Sequence, residues 1–238
     1  MKTNERDEQI LSILRQQRFA SVNSLAETLY TSPSSIRRDL NRLEAAGIVE
    51  RSYGGVILLG DGHTAAPFVI RGEQNRLLKK EIAAKASVLL RDNLSVILDD
   101  STTAFYMLEH LARFRNISLF TNNLSTAQRA IELSIKTYMI GGTSTGQSVV
   151  MCGSYALDML DRIYADLCFF SSFALADNGD ISDCTEESTA VRRKMLERAD
   201  VRAFLCDSTK FHTRATHLLC NVSAVEHVFS DQPLPAFT

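Results

Sequence analysis

The sequence has no long hydrophobic run and no secretory leader pattern. None of its apolar stretches approaches the roughly 18 residues that a membrane-spanning helix requires. The opening segment MKTNERDEQI has no apolar region behind its first charges, which argues against export. We therefore expect a cytoplasmic protein that does not bind the membrane.

The sequence also lacks the usual patterns of metal, redox and catalytic sites. Its five cysteines are odd in number and widely spaced, with no C-x-x-C pair, so we expect reduced thiols. The five histidines form no cluster with ligand spacing, and we find neither a nucleophile motif nor a dinucleotide-binding G-x-G-x-x-G. These absences predict no metal, no cofactor and no catalytic residue.

Length and charge give broader guidance. The net charge of −2 neither favours nor excludes nucleic acid, because a local basic patch is enough to bind DNA. A chain of 238 residues is long for one domain and comfortable for two. We predict a small domain over residues 1–58, a linker over 59–74, where glycine and proline replace periodic apolar residues, and a larger domain over 75–238.

Apolar spacing predicts three helices and a hairpin in the small domain. Residues 6–17 and 21–29 each carry one apolar stripe at intervals of three and four residues. Thr31-Ser32-Pro33 supplies a turn, a capping hydroxyl and a proline suited to the first turn of a third helix. Residues 48–51 and 56–58 then flank a glycine-containing turn. Three helices followed by a β-wing make a winged helix-turn-helix.

The third helix has the surface expected of a DNA reader. Its apolar residues face inward and its opposite face is small, polar and basic, with arginines that can bond guanine edges or phosphates. The candidate DNA-binding residues are Ser32, Ser34, Ser35, Arg37, Arg38, Asn41, Arg42, Arg51 and Tyr53. The alternative is that Arg37, Arg38 and Arg42 form a solvated helix face and pair with Asp39 and Glu44.

The larger domain alternates short apolar runs with helical patterns. After a helix over 75–90, we predict strands at residues 95–98, 117–120, 137–140, 167–170 and 201–206. Strands separated by helices indicate an α/β fold with a mostly parallel sheet. Ligands of such sheets bind outside the carboxyl ends of the strands.

Polar loops follow four of these predicted strands. Hydroxyl-rich turns present side-chain and backbone donors to an anion, and a lysine across the cleft can neutralise its charge. The candidate effector-binding residues are Asp99, Ser101, Thr102, Thr103, Thr121, Asn122, Gly141, Gly142 and Lys210. Against this interpretation, polar turns end strands in many proteins without binding anything.

Several strings resemble the DeoR family of bacterial sugar-metabolism repressors. In the small domain the resemblance is carried by Ser34 to Leu40 (SSIRRDL), by Gly47 and by Arg51-x-Tyr53-Gly54-Gly55. In the larger domain it is carried by Leu98-Asp99-x-x-Thr102-Thr103, Thr121-Asn122, Gly141-Gly142, Gly153 and Asp207-Ser208-x-Lys210-Phe211. The family usually has threonine at Ser35 and histidine at Tyr53.

The resemblance implies specific roles. The third helix would read double-stranded operator DNA, with the helix-turn-helix proper at about Ala20 to Asp39. The larger domain would be similar in fold to ribose-5-phosphate isomerase and to acetyl-CoA transferases. Ser101 to Thr103 would hold the phosphate of a sugar phosphate, with Asp99, Asn122 and Lys210 near the sugar. Ser101 stands where the family usually has glycine, and its side chain is expected to narrow the cleft.

We therefore expect a DNA-binding regulator, a repressor of a carbohydrate-metabolism operon that acts as a homodimer or higher oligomer under the control of a phosphorylated sugar. Two alternatives stay open. The first is a sugar-phosphate isomerase-like enzyme with a regulatory DNA-binding appendage, because Asp99, Glu187 and Lys210 offer acid and base groups. The second is a repressor whose C-terminal domain only oligomerises.

Overall fold

The computed structural model describes residues 5–17, 19–45, 48–52, 55–58, 68–144 and 149–237. The chain divides into two compact units, Met1–Gln74 and Asn75–Thr238. Each unit has its own hydrophobic core. None of the helices in these described ranges is long and apolar enough to cross a membrane.

The first unit has the predicted helices and wing. Its elements in chain order are α1 (Glu5–Gln17), β1 (Phe19–Ser21), α2 (Val22–Thr28), α3 (Pro33–Ala45), β2 (Val49–Ser52), β3 (Gly55–Leu58) and α4 (Phe68–Glu73). The three strands form an antiparallel sheet in the order β1-β3-β2. Sequence reasoning missed β1, because three residues are too few to show an alternation. It also missed α4, which lies inside the segment predicted as a linker.

An ion cluster joins α1 to α3. Arg6 Nε donates to Asp39 Oδ2 at 2.5 Å, and Arg42 Nη2 donates to Asp39 Oδ1 at 3.0 Å. Arg42 also binds both carboxylate oxygens of Asp7, at 2.5 and 3.2 Å. Burial alone would raise the pKa of Asp39, but Arg6 and Arg42 overcome this effect and hold it below its ordinary value. Asp39 therefore has a structural role: it is buried beneath the exposed face of α3 and links α3 to α1.

The second unit alternates strands and helices as predicted. Its elements in chain order are α5 (Arg76–Ala86), β4 (Ser95–Leu98), α6 (Thr102–Phe105), α7 (Leu108–Leu111), β5 (Ser118–Thr121), α8 (Leu124–Glu132), β6 (Lys136–Met139), α9 (Ser154–Leu160), β7 (Ala165–Phe170), β8 (Ala174–Leu175), β9 (Asp180–Asp183), α10 (Glu186–Glu197), β10 (Ala199–Cys206), β11 (His217–Asn221) and β12 (His227–Ser230). The α/β fold class and the five predicted strands are confirmed.

The main sheet is parallel throughout, in the order β12-β10-β7-β4-β5-β6. Val96 and Leu98 of β4 enter one core cluster and Ile97 enters the other, so both faces of this strand are buried. The chain runs from β4 outward to β6 and then returns to place β7 on the other side of β4. Such a reversal opens a crevice at the carboxyl ends of β4 and β7, where ligands of open α/β sheets bind.

Two features of the second unit were not predicted. Strand β12 extends the parallel sheet, and β8, β9 and β11 form a separate antiparallel sheet in the order β11-β9-β8. These strands are short, and several of their residues are half-buried or exposed. A short strand with no clean apolar pattern leaves little signal in the sequence.

Candidate DNA-binding surface and effector site

The exposed face of α3 carries four of the predicted DNA contacts. Ser34, Arg37, Arg38 and Asn41 are all exposed, and the last three lie three, four and seven residues after Ser34, which places them on one helix face. Ile36, on the opposite side, is fully buried. Among the residues that the structure describes, Arg37 and Arg38 have no ion-pair partner, so their charges remain available to DNA.

Hydroxyl groups cluster at the start of α3. The Ser32 hydroxyl accepts the backbone N–H of Ser35 at 3.2 Å and lies 2.9 Å from the hydroxyls of both Ser34 and Ser35. Together with the helix N-terminus these groups form a donor-rich surface that suits a phosphate.

The wing is fastened to α3 by two hydrogen bonds. Arg51 Nη1 donates to Asn41 Oδ1 at 2.5 Å, and the Arg51 backbone N–H donates to Glu44 Oε1 at 3.2 Å. Arg51 and Asn41 therefore lie side by side on one surface. Arg42 differs from the other predicted contacts, because its guanidinium binds Asp7 and Asp39. Tyr53 lies outside the described residues.

Asp99 organises the loop that follows β4. Its side chain is completely buried, and Oδ1 accepts hydrogen bonds from the backbone N–H and the hydroxyl of Ser101, at 3.0 and 2.5 Å. Oδ2 accepts from the Ser171 backbone N–H at 3.1 Å and from Arg192 Nε at 2.7 Å. Both carboxylate oxygens are thus occupied by protein donors. Asp99 holds the β4 and β7 loops together at the crevice.

Arg192 is the centre of this cluster, and sequence reasoning missed it. From α10 its guanidinium binds Asp99 at 2.7 Å, Asp100 at 2.5 Å and Asp183 at 2.5 Å, and its side chain is 4% exposed. The available signal was its position, since Arg192 lies on the same helix face as the buried Thr189 and Met195. A charged residue on an apolar stripe predicts a buried partner.

Burial and the neighbouring charges oppose each other at both Arg192 and Asp99. Burial lowers the pKa of Arg192, but the charges of Asp100, Asp183 and Asp99 outweigh this effect and the net shift is well upward. Burial likewise raises the pKa of Asp99, against the opposing charge of Arg192. The arginine stays charged because three carboxylates surround it.

Ser101 does not narrow the cleft as expected. Its hydroxyl donates to Asp99 and also accepts the backbone N–H of Ala104 at 3.1 Å, which caps α6. The side chain is therefore folded back onto its own loop. A serine fits at this point because the loop itself offers it both a donor and an acceptor.

Buried polar atoms without partners gather in the segments that follow β4 and β5, which include the first turns of α6 and α8. Within the described ranges, four such atoms occur here: Thr103 Oγ1, Asn122 Oδ1, Asn123 Nδ2 and Thr126 Oγ1. The four side chains are at most 1% exposed. Since β4 and β5 are adjacent, with Leu98 paired to Thr121, these atoms belong to neighbouring segments at one edge of the sheet.

The remaining predicted effector residues have defined contacts. Lys210 Nζ donates to Ser171 Oγ at 2.8 Å and lies 3.6 Å from Asp207. Thr121 Oγ1 accepts the Asn123 backbone N–H at 3.3 Å. Gly142 has a φ of +156° and packs against the Cys152 backbone so closely that a Cβ would lie 2.4 Å from its carbonyl oxygen.

Gly141 differs from Gly142, because a Cβ at Gly141 would meet nothing within 4 Å.

The pairing of β4 with β5 brings together five of the predicted effector residues: Asp99, Ser101, Thr103, Thr121 and Asn122. Lys210 reaches this group through Ser171.

Comparison with known proteins identifies the chain. A DeoR-like helix-turn-helix domain matches residues 6–60, and a DeoR C terminal sensor domain matches residues 74–232. The chain belongs to the DeoR family. An L-fucose operon activator from Haemophilus influenzae is 32% identical and covers 98% of this chain and 93% of its own length.

Other relatives of this DeoR-family regulator extend the picture. A putative aga operon transcriptional repressor from Escherichia coli O157:H7 is 28% identical over 98% of this chain and 88% of its own. A ribose-5-phosphate isomerase solved with phospho-erythronic acid covers 57% of this chain and 54% of its own, with 17% identity and a TM-score of 0.44. That structural likeness is too distant to bear on the site. The chain is a DNA-binding transcriptional regulator with a C-terminal sensor domain.

Proposed function

We propose that this regulator represses a carbohydrate-metabolism operon. It binds double-stranded operator DNA through α3 and the wing as a homodimer or higher oligomer in the cytoplasm. A small phosphorylated sugar binds at the carboxyl edge of the six-stranded sheet and shifts the protein to a state that binds DNA poorly. The protein performs no catalysis.

The four unpartnered polar atoms carry the effector proposal. A buried polar group without a hydrogen bond costs roughly 1–3 kcal/mol, so a fold keeps several of them together when a ligand satisfies them. Asn122 Oδ1 needs a donor, Asn123 Nδ2 needs an acceptor, and the hydroxyls of Thr103 and Thr126 can use either. A ligand that carries hydroxyl groups and anionic oxygens supplies both. A sugar phosphate has this chemistry.

The contacts of two of the three candidate acid and base groups, Asp99 and Lys210, support binding over catalysis. Both oxygens of Asp99 already accept hydrogen bonds, two of them from Ser101. Lys210 donates to Ser171 and faces Asp207. A general base must reach the proton that it removes, and these two groups are engaged by neighbouring residues instead.

The relatives support regulation of sugar operons, but they are named for opposite effects on transcription. One is named an activator of an L-fucose operon and the other a putative repressor of an aga operon. Release of DNA by the effector distinguishes the two modes for this protein. A repressor of the proposed kind leaves its promoter when the sugar phosphate binds, whereas an activator of the opposite kind binds more tightly.

Replacing Thr103 by valine tests the effector site. Valine removes an unpartnered hydroxyl with little change of shape, so we expect wild-type or slightly higher stability and wild-type DNA affinity. The response to the effector should be lost. The assay is fluorescence anisotropy of the DNA upstream of the gene, titrated with a panel of pentose and hexose phosphates. Thermal melting gives the stability.

Thr189→Val is the matched control. Thr189 is also buried, but its hydroxyl donates to the Thr185 carbonyl at 2.6 Å, so its loss should lower stability and spare the effector response. If no sugar phosphate raises the melting temperature or releases DNA, the sensor proposal is wrong while DNA binding stands. Isomerisation of the panel at ordinary enzyme rates would contradict the absence of catalysis.

A further inference from the structure

Tyr30 ends α2 in a backbone conformation that tyrosine rarely adopts. Its φ is +48°, in the left-handed region. The Thr31 backbone N–H donates to the Ala26 carbonyl at 2.9 Å and the Tyr30 N–H to the Glu27 carbonyl at 3.3 Å, as in the glycine-ended helices of many proteins. Glycine or asparagine is favoured at this position because a larger side chain is strained there.

The Tyr30 side chain is also left in solvent. It is 97% exposed, the highest value among the large hydrophobic residues described as exposed. Of the other described non-glycine residues with positive φ, three are asparagines and the rest are a serine and a histidine. A tyrosine here bears backbone strain, and its ring gains almost no packing from the part of the first unit that the structure describes. Backbone strain of this kind is concentrated at active and ligand-binding sites.

The location of Tyr30 indicates what kind of partner its side chain contacts. It lines a shallow hollow, wide open to solvent, together with Asn23, Glu27, Ser32 and Pro33. Ser32 and Pro33 open α3, so this hollow, which we call the Tyr30 hollow, is continuous with the DNA-binding surface. Phosphates border the groove that a recognition helix enters, and most protein–DNA hydrogen bonds go to them.

We propose that Tyr30 contacts the sugar–phosphate backbone of the operator beside the groove that α3 occupies. Its hydroxyl donates to a phosphate oxygen and its ring packs on the deoxyribose. A neutral donor fits this position, because a lysine or arginine in the Tyr30 hollow would pair with the exposed Glu27. This inference rests on the proposed binding of DNA by α3.

Replacing Tyr30 by glycine should change stability and DNA affinity in opposite directions. Relief of the positive φ should raise the melting temperature of the first unit by a few degrees. Loss of the phosphate contact should weaken binding to the upstream DNA about three- to tenfold. Tyr30→Asn, which also tolerates this conformation, should behave in the same way. Tyr30→Phe should keep the strain and lose only part of the affinity.

The salt dependence separates this contact from a charged one. Tyrosine releases no counterion, so the slope of affinity against salt should be unchanged in Tyr30→Gly and reduced in Arg38→Ala. Tyr155→Phe changes another exposed tyrosine, on α9 of the second unit, and should leave DNA binding unchanged.

The proposal is wrong if Tyr30→Gly and Tyr30→Asn bind the DNA with wild-type affinity at every salt concentration. This holds even if the two variants lose contact with another protein. If Arg38→Ala also keeps full affinity, the proposed DNA-binding surface itself is wrong. If Arg38→Ala loses affinity while the Tyr30 variants keep it, only the role of Tyr30 is wrong. A rise in melting temperature without loss of affinity would show that the strain has no DNA-binding purpose.

Discussion

Replacing Arg192 by methionine removes the positive charge at the centre of the sensor domain. Methionine is also long and unbranched, so the change leaves Asp99, Asp100 and Asp183 without their shared partner and creates little empty space. Buried carboxylates that lose a counter-charge are costly, because neither water nor another cation replaces it. The expected result is a marked loss of stability of the second unit.

The structure sets the size of that loss. Removing one partner of a buried ion pair costs about 3–5 kcal/mol. The lower end applies here, because Asp99 keeps the hydrogen bonds from Ser101 and Ser171, and Asp183 is 16% exposed. With a urea m-value of about 2 kcal/mol/M, a loss of about 3 kcal/mol lowers the unfolding midpoint by about 1.5 M.

The assay is urea unfolding followed by far-ultraviolet circular dichroism, since the chain contains no tryptophan for fluorescence. The loss should be largest near pH 7 and shrink as the pH falls. Burial raises the pKa of Asp99 and Arg192 opposes this effect, so in the variant folding is favoured at low pH and penalised as Asp99 ionises.

Arg193→Met is the matched control on the same helix. Arg193 is exposed and donates to the Leu218 carbonyl at 2.7 Å, so its replacement should cost less than about 1 kcal/mol. A loss in Arg192→Met no greater than that of the control, or one that does not vary with pH, would refute the account of Arg192 as the charge that holds the crevice loops together.

Two further predictions concern ion pairs whose carboxylates have lowered pKa values. Asp39→Asn takes the shared carboxylate from Arg6 and Arg42, and it should destabilise the first unit by about 1–3 kcal/mol. This deficit, measured by thermal melting, should shrink as the pH falls through the lowered pKa of Asp39, and a deficit unaffected by acid would contradict it. Arg202 lowers the pKa of Glu226 from 4.5 to about 2, so the wild type should lose stability relative to Glu226→Gln as the pH falls across this range. Because the pair is about one-third exposed, the difference should stay below about 1 kcal/mol, and parallel acid-unfolding curves would show that the pair contributes nothing.

Local patterns predicted much of the fold. The proline and serine before α3 and the glycine-containing turn of the wing identified the helix-turn-helix without help from distant residues. The same kind of pattern identified β4, β5 and β10, and their polar loops indicated the edge of the sheet where the candidate site lies. These elements could be predicted because their signals lie within a few consecutive residues.

The sequence located the candidate site, but it did not give the hydrogen-bond partners of the side chains there. Ser101 was expected to obstruct the cleft, whereas its hydroxyl bonds to Asp99 and caps α6. Arg42 was grouped with the exposed arginines of α3, whereas it joins α3 to α1 through Asp7. In both cases the residue type was read correctly as polar, but its partner depends on the three-dimensional arrangement.

Helical and strand periodicity are local properties, so the sequence alone predicted a winged helix-turn-helix followed by an α/β domain. The sensing role was implied by the resemblance to the DeoR family. Which charges are partnered depends on the three-dimensional fold. Arg192 and Asp99 lie 93 residues apart in the chain and meet because β7 returns to the side of β4 and α10 packs against β7. No local pattern encodes that meeting, since strand order arises from the packing of the whole sheet.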